Sequence, residues 1–232
     1  MITKEYFDKL KNITNLNDLM EVPLVIPNEI LDEMPKFRKE NIFNKFDYDF
    51  LSIQKEELLR QLYIDSGMYG FVSWKWVNPL VEWINGRKVL EVMAGKGWLS
   101  HALRLKGVDV IATDNFTWLN ERNWGDPLTD IIEEDAVTSI ELFGDQVNII
   151  IMSWPYMDNT AFQVLKKIHE VNPSALIVYI GEYYGCTADE EFHQKFDEIE
   201  DEKFSNVINN YQSWNIIRDR PFLGKYNDDT DI

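Results

Sequence analysis

Residues 89–103 read VLEVMAGKGWLSHAL, and the fold follows from how this stretch divides. Val89-Leu90-Glu91-Val92 is a short apolar run carrying one carboxylate. Met93-Ala94-Gly95-Lys96-Gly97 is a loop of mostly small residues, and residues 98–105 then read as a helix. Strand, glycine loop and helix form the unit that opens doubly wound nucleotide-binding domains. Glycines there let the backbone pass close to a ligand, and the helix N-terminus offers N–H groups without intrahelical partners.

Downstream of this unit the pattern repeats in kind. Lys106-Gly107 closes the helix, and residues 108–113 alternate Val and Ile with small or polar residues up to Asp114. An aromatic loop or short helix follows over residues 116–126. Residues 130–136 read as a short third strand, and residues 147–152, apolar apart from Asn148, read as a central parallel strand buried on both faces. Residues 159–170 place Phe162, Leu165 and Ile168 on one helix face, Asn172-Pro173 turns the chain, and residues 175–180 give the next buried strand. Thr187-Ala188-Asp189-Glu190 reads as a capping box, with Phe192, Phe196 and Ile199 continuing the helix. Residues 214–226 fit one more strand or a terminal hairpin. Strands and helices in alternation imply an α/β fold: a doubly wound, mostly parallel sheet with helices on both faces.

Upstream, residues 6–10 and 16–20 suit short helices, and Pro23, Pro27 and Pro35 then break up the chain. Residues 52–63 put Leu58, Leu59, Leu62 and Tyr63 on one helical face, with Gly67 as a left-handed cap beyond it. Asn78-Pro79 looks like the start of a further helix that ends at Asn85-Gly86. The division expected is a helical lid over residues 1–69, without the apolar content for a core of its own, and the main domain over residues 70–232.

Three acids end or follow successive strands: Glu91, Asp114 and Asp135. A ligand in a doubly wound sheet lies across the carboxyl ends of the strands and would meet all three in turn. Asp114 stands 23 residues beyond Glu91, near the interval of about 20 expected of a ribose-binding acid.

The 89–103 stretch resembles motif I of the Rossmann-like S-adenosylmethionine (SAM)-dependent methyltransferases, whose usual form is E/D-x-G-x-G-x-G. Met93 departs from it by standing where the first glycine belongs. Beyond the buried 147–152 run, Ser153-Trp154-Pro155-Tyr156 resembles the (D/N/S)-P-P-(Y/F) motif IV of amino-group methylases, with Trp154 in place of the first proline. The resemblance extends over residues 69–192 and points to a branch of that superfamily with Ser-Trp-Pro-Tyr at motif IV. It implies SAM as cofactor, held by Glu91, Met93, Ala94, Gly95, Gly97, Asp114, Asn115, Asp135, Ala136 and Ser153. Asp114 is expected on the ribose, Asp135 with Ala136 on the adenine amino group. Ser153, Trp154, Pro155 and Tyr156 are the implied catalytic turn. Ser153 and the carbonyl after it would accept hydrogen bonds from an NH₂ group and so aim its lone pair, Pro155 would stiffen the loop, and Tyr156 would stack on a planar acceptor. Tyr69, Trp74, Trp154, Tyr156 and Glu182 complete the expected acceptor contacts.

Bulk properties narrow the acceptor. The net charge is −17, so a phosphate backbone is repelled, and the basic clusters (Lys36-Phe37-Arg38-Lys39, Arg87-Lys88, Lys166-Lys167, Arg218 with Arg220) are all short. Nucleic acid is therefore disfavoured as partner, and the resemblance at residues 153–156 then implies a small or planar molecule methylated on nitrogen in preference to oxygen. No apolar run reaches the ~20 residues of a membrane span, the N-terminus lacks an apolar signal region, and the lone Cys186 suits a reducing, cytoplasmic compartment. His101, His169 and His193 lack ligand spacing, so no metal is expected. Two rival readings stay open: a nucleobase amino-methylase of DNA or RNA, and a catalytically silent SAM-binding or interaction protein, the latter supported by Met93. Trp76, Trp83 and Trp214 are expected in the core, and Trp98, Trp118 and Trp124 beside the cleft loops.

Overall fold

The apolar runs become the middle of one seven-stranded sheet. In the computed structural model, which describes residues 4–37, 50–215 and 217–228, β1 (Val89–Val92) lies between β2 (Val110–Asp114) and β4 (Ile149–Ser153), parallel to both. β3 (Ile132–Glu133) adds a short parallel edge to β2, and β5 (Leu176–Gly181) runs parallel to β4. Beyond β5 the direction reverses. β7 (Arg220–Tyr226) pairs antiparallel with β5, and β6 (Phe196–Glu198) antiparallel with β7, giving the order β3-β2-β1-β4-β5-β7-β6. The sheet is thus mixed but mostly parallel. The order switches direction at β1, where a doubly wound sheet opens its ligand crevice.

Side chains alternate across the strands, and the alternation sorts two cores. Val89, Ile149, Ile151, Val178 and Ile180 face a cluster shared with α4 (Trp74–Ile84), α5 (Trp98–Leu105) and α9 (Glu202–Asn210). Leu90, Val92, Ile150, Met152 and Ile177 face the other, shared with α6 (Ala136–Phe143), α7 (Thr160–Val171) and α8 (Glu190–Lys195). Helices therefore cover both faces, as the alternation of elements implied. Trp76, Trp83 and Trp214 are buried as expected.

The N-terminal segment feeds the first of these cores. α1 (Lys4–Asn12), α2 (Leu16–Met20) and α3 (Phe50–Asp65) contribute Phe7, Leu10, Leu19, Leu59, Leu62 and Tyr63 to the cluster that holds Val89 and Ile151. Lys55 on α3 is buried, and its ammonium donates to the carbonyls of Lys11 (3.1 Å) and Ile13 (2.7 Å), caring for the orphan acceptors at the end of α1.

Four local expectations need correction. α4 begins at Trp74, not at Asn78-Pro79, and Pro79 lies inside it. The buried stripe Trp76, Val77, Leu80, Trp83 and Ile84 outweighs the one N–H that Pro79 cannot donate. Asp189, not Thr187, caps α8 by accepting from Phe192 N, because Thr187 Oγ1 is engaged with Tyr179 Oη and Glu182 N. Phe196 belongs to β6 and not to a continuing helix. α9, capped by Asp201, has no counterpart in the sequence reading. Arg38 and Lys39 of the first basic cluster lie outside the described residues. Among the described residues no helix is long and apolar enough to cross a membrane.

Candidate active site at the carboxyl edge of the sheet

Backbone handedness marks the site. Among the described residues, the non-glycine positions with positive φ are Asn85, Met93, Phe116, Trp154, Tyr184 and Ala188. All but Asn85 lie in loops that leave the carboxyl ends of β1, β2, β4 and β5. A left-handed residue with a side chain costs roughly 1–2 kcal/mol, and such strain collects at functional sites.

The glycine loop is the tightest of these turns. Met93 (φ 56°), Gly95 (φ 56°) and Gly97 (φ 83°) all have positive φ, and Gly97 is the N-cap of α5. Ala94 N donates to Thr113 O (3.0 Å) and Gly97 N to Ala94 O (2.8 Å), which ties the loop to β2 and to itself. A Cβ on Gly95 would meet no heavy atom within 4 Å, so this backbone faces open space. Met93 tolerates the glycine position because its side chain turns away from that space and packs, partly buried, on the core that contains Leu90, Val92 and Ile140. Met93→Gly is therefore expected to be nearly neutral. It relieves about 1–2 kcal/mol of left-handed strain and forfeits a similar amount in side-chain burial and chain entropy. Thermal unfolding checks this, a loss of many degrees being the contrary result.

Asp114 organises the loop from across the edge. The residue is only 7% exposed; its Oδ2 accepts from Gly95 N (2.7 Å), and its Oδ1 from Phe116 N (2.8 Å) and Trp118 Nε1 (3.1 Å). Burial raises its carboxyl above the ordinary range, and these three bonds oppose the rise. Glu91 is buried beneath α5, where Ser100 donates its hydroxyl to the carboxyl group, and burial pushes that group up to about 7. It thus joins the two elements flanking the loop and does not open on the edge.

Ser153-Trp154-Pro155-Tyr156 leaves β4 beside this loop. Ser153 is half-buried and Trp154 N extends the ladder to Ile180 O (2.8 Å). The Trp154 ring is 6.0 Å from Tyr69, which is 5.9 Å from Trp124, and Trp124 in turn is 4.8 Å from Trp118. The Lys96 ammonium donates to the Trp124 carbonyl. These rings form a continuous aromatic arc above the ends of β1, β2 and β4. Tyr156 is 60% exposed; partial burial, then Tyr69 and the negative charges of Glu121 and Asp114, hold its phenol above the usual range. Loop, Asp114, Tyr69, Trp154 and Tyr156 are brought together.

Other expected residues are placed differently. Trp74 carries the Lys106 ammonium over its ring at 4.5 Å, at the end of α5 opposite Gly97, so it does not reach this edge. Asp135 is the N-cap of α6: β3 stops at Glu133, and the carboxylate accepts from Val137 N and Thr138 N (both 3.0 Å) and from the Thr138 hydroxyl. Ala136 is the first residue of that helix and is buried. Asn115 Oδ1 is taken up by Thr117 N (3.1 Å) and Oγ1 (2.9 Å). Glu182 accepts from Cys186 Sγ (3.0 Å) and Arg218 N (2.7 Å), bonds that hold it below the usual carboxylate range, so it braces its own turn. Trp98, expected beside the cleft, is buried and donates to Ser66 O (2.8 Å). Asp219, missed in the sequence, is buried behind Trp154 and accepts its indole N–H at 3.0 Å. Its one signal is a carboxylate directly before a strand.

No family model and no curated protein sequence matches the chain. Solved structures with a similar backbone include MtNAS in complex with MTA and tNA (12% identity, TM-score 0.44, 75% of this chain and 65% of that one). A TehB-like SAM-dependent methyltransferase from Corynebacterium glutamicum ATCC 13032 Kitasato aligns at 13% identity and TM-score 0.46 over 75% of this chain and 99% of that one. A SAM-dependent methyltransferase from Archaeoglobus fulgidus gives 15%, TM-score 0.43, and 77% and 100% coverage. The chain spans less than two thirds of the length of MtNAS. At these identities and scores the functional reading stands on the site's own geometry.

Proposed function

We propose that the protein is a SAM-dependent methyltransferase that transfers a methyl group to a nitrogen, in preference to an oxygen, of a small or planar acceptor. The observation that carries this reading is the convergence, at one switch point, of a left-handed glycine loop with open space at Gly95, the Asp114 carboxylate and the Ser153-Trp154-Pro155-Tyr156 turn. The residues fit the cofactor: Gly95 lets a ligand approach the backbone, and Asp114 supplies a carboxylate whose charge suits a cationic sulfonium. Three donors already occupy Asp114, so its remaining acceptor capacity, or an exchange of the Gly95 bond, would serve ribose hydroxyls. Asp135, spent on its cap, is a weaker candidate for the adenine end than the sequence suggested.

When bound, SAM supplies an electrophilic methyl group on sulfur. The chain's part is then orientation. The Ser153 hydroxyl and the Trp154 carbonyl can accept hydrogen bonds from an amino group, aiming its lone pair, and Tyr156 offers an exposed ring for the acceptor to lie on. Loops along this edge carry Glu121, Asp126, Glu134, Asp158 and Glu182 against Lys96, Arg122 and Arg218, with Arg60 near enough to act on Glu182, so the rim holds no concentrated basic patch for a polyanion. A catalytically silent SAM-binding protein is the second reading, and turnover in the labelled-methyl assay separates it from an enzyme.

Calorimetry with SAM and S-adenosylhomocysteine, followed by labelled-methyl transfer into a small-molecule extract, tests the reading; absence of binding to either ligand would reject it. Tyr156→Ala is expected to leave SAM affinity nearly intact while raising the barrier to transfer by about 1–3 kcal/mol, the worth of an aromatic stack on a planar ring. Equal losses in SAM binding and transfer would instead place Tyr156 on the cofactor.

A further inference from the structure

Residues 211–215 and 217–219, between α9 and β7, reach both acceptor-side loops. Asp219 is 4% exposed and accepts from Trp154 Nε1 (3.0 Å), the Tyr211 hydroxyl and the Ser213 hydroxyl. Its neighbour Arg218 donates its backbone N–H to Glu182 in the loop after β5 (2.7 Å). At the other end of the segment, Gln212 Oε1 accepts from Met34 N (2.9 Å) and Ser73 Oγ (3.2 Å). Consecutive residues thus hold the β4 and β5 loops to the body of the protein.

Trp154 is where this matters most. Its backbone is left-handed (φ 54°), a conformation that persists only where the surroundings dictate it. The indole is seated so closely on Gly70 that a Cβ there would come within 2.8 Å of the ring, and Asp219 takes its single donor. Ser153 and Pro155 flank Trp154 directly, so the direction of the Ser153 hydroxyl and the Trp154 carbonyl depends on that seat.

We propose that Asp219 is a positioning residue: through the Trp154 indole it holds the 153–156 turn in the shape that the transfer step uses. The kinetic half of this inference rests on the methyltransferase reading; the structural half does not.

The test uses the full chain labelled with ¹⁵N at the tryptophan indoles, the Trp154 signal being assigned by its loss in Trp154→Phe. In Asp219→Asn that signal should move upfield, and its hydrogen should exchange with water about tenfold faster or more, as expected when the single amide oxygen must serve three donors that two carboxyl oxygens shared. Tritiated methyl transfer from SAM into a small-molecule extract should show a maximal rate about tenfold lower in Asp219→Asn and in Trp154→Phe, with the KM for SAM within about twofold, the pattern of a contact used mainly in the transition state. If Asp219→Asn does not fold, Trp154→Phe, which keeps a ring in the seat and removes the N–H, carries the test. An unmoved indole signal in folded Asp219→Asn, or full rate in Trp154→Phe, would overturn the inference. Failure of the wild-type protein to bind SAM would reject the methyltransferase reading instead, and the indole signal would still decide whether Asp219 holds the turn.

Discussion

Asp114→Ala is expected to lose SAM binding and, in addition, several kcal/mol of stability. Sequence reasoning gives this carboxylate one task, the ribose hydroxyls. In the fold it satisfies Gly95 N, Phe116 N and Trp118 Nε1, and removing it leaves three donors facing a short side chain. A buried donor left without a partner costs about 1–3 kcal/mol, so the total is about 3–6 kcal/mol once water is allowed to reach some of them. That is a large share of the roughly 5–15 kcal/mol that holds a domain together. Urea unfolding gives the stability and calorimetry the affinity. A folded Asp114→Ala protein with unchanged SAM affinity would show that the acid supports the loop without meeting the ligand.

Glu91→Gln should stabilise the protein, and only above a defined pH. The carboxyl is raised from 4.5 to about 7 by burial, a difference worth about 3 kcal/mol. With the folded value above the unfolded one, the folded state binds more protons between pH 4.5 and about 7. Stability from this group is therefore complete below pH 4.5 and is lost as pH rises through about 7. Glutamine keeps the shape and stays neutral. The variant and the wild-type protein should then unfold alike near pH 4.5 and differ by about 3 kcal/mol near pH 8. A constant difference at both pH values would show that Glu91 does not titrate in this range.

The sheet was legible because its strands are written in residues that only burial explains. Residues 149–152 and 175–180 have no charged or amide position at which they could face water, and both become central strands. The glycine loop was legible because backbone that needs left-handed angles is mostly written as glycine. What escaped the sequence was direction and partnership. Pro79 looked like a helix start because a local preference is visible in a single chain, whereas the buried stripe that overrides it depends on α9 and α5. Asp135 and Glu182 are acids in suggestive places whose lone pairs go to backbone a few residues away or to Arg218, and spacing alone cannot tell a free carboxylate from a spent one. Trp74 fell on the wrong edge for a related reason: a tryptophan near a glycine loop in sequence can sit one helix length away in space.

Met93 carries a broader consequence. Its dihedral angle is that of a glycine, and its side chain has found a berth in the hydrophobic layer below the sheet. The loop therefore requires a particular twist of the chain at this point and is indifferent to which residue adopts it. A signature spelled in letters scores Met93 as a defect, whereas one spelled in torsion angles would read the turn as intact.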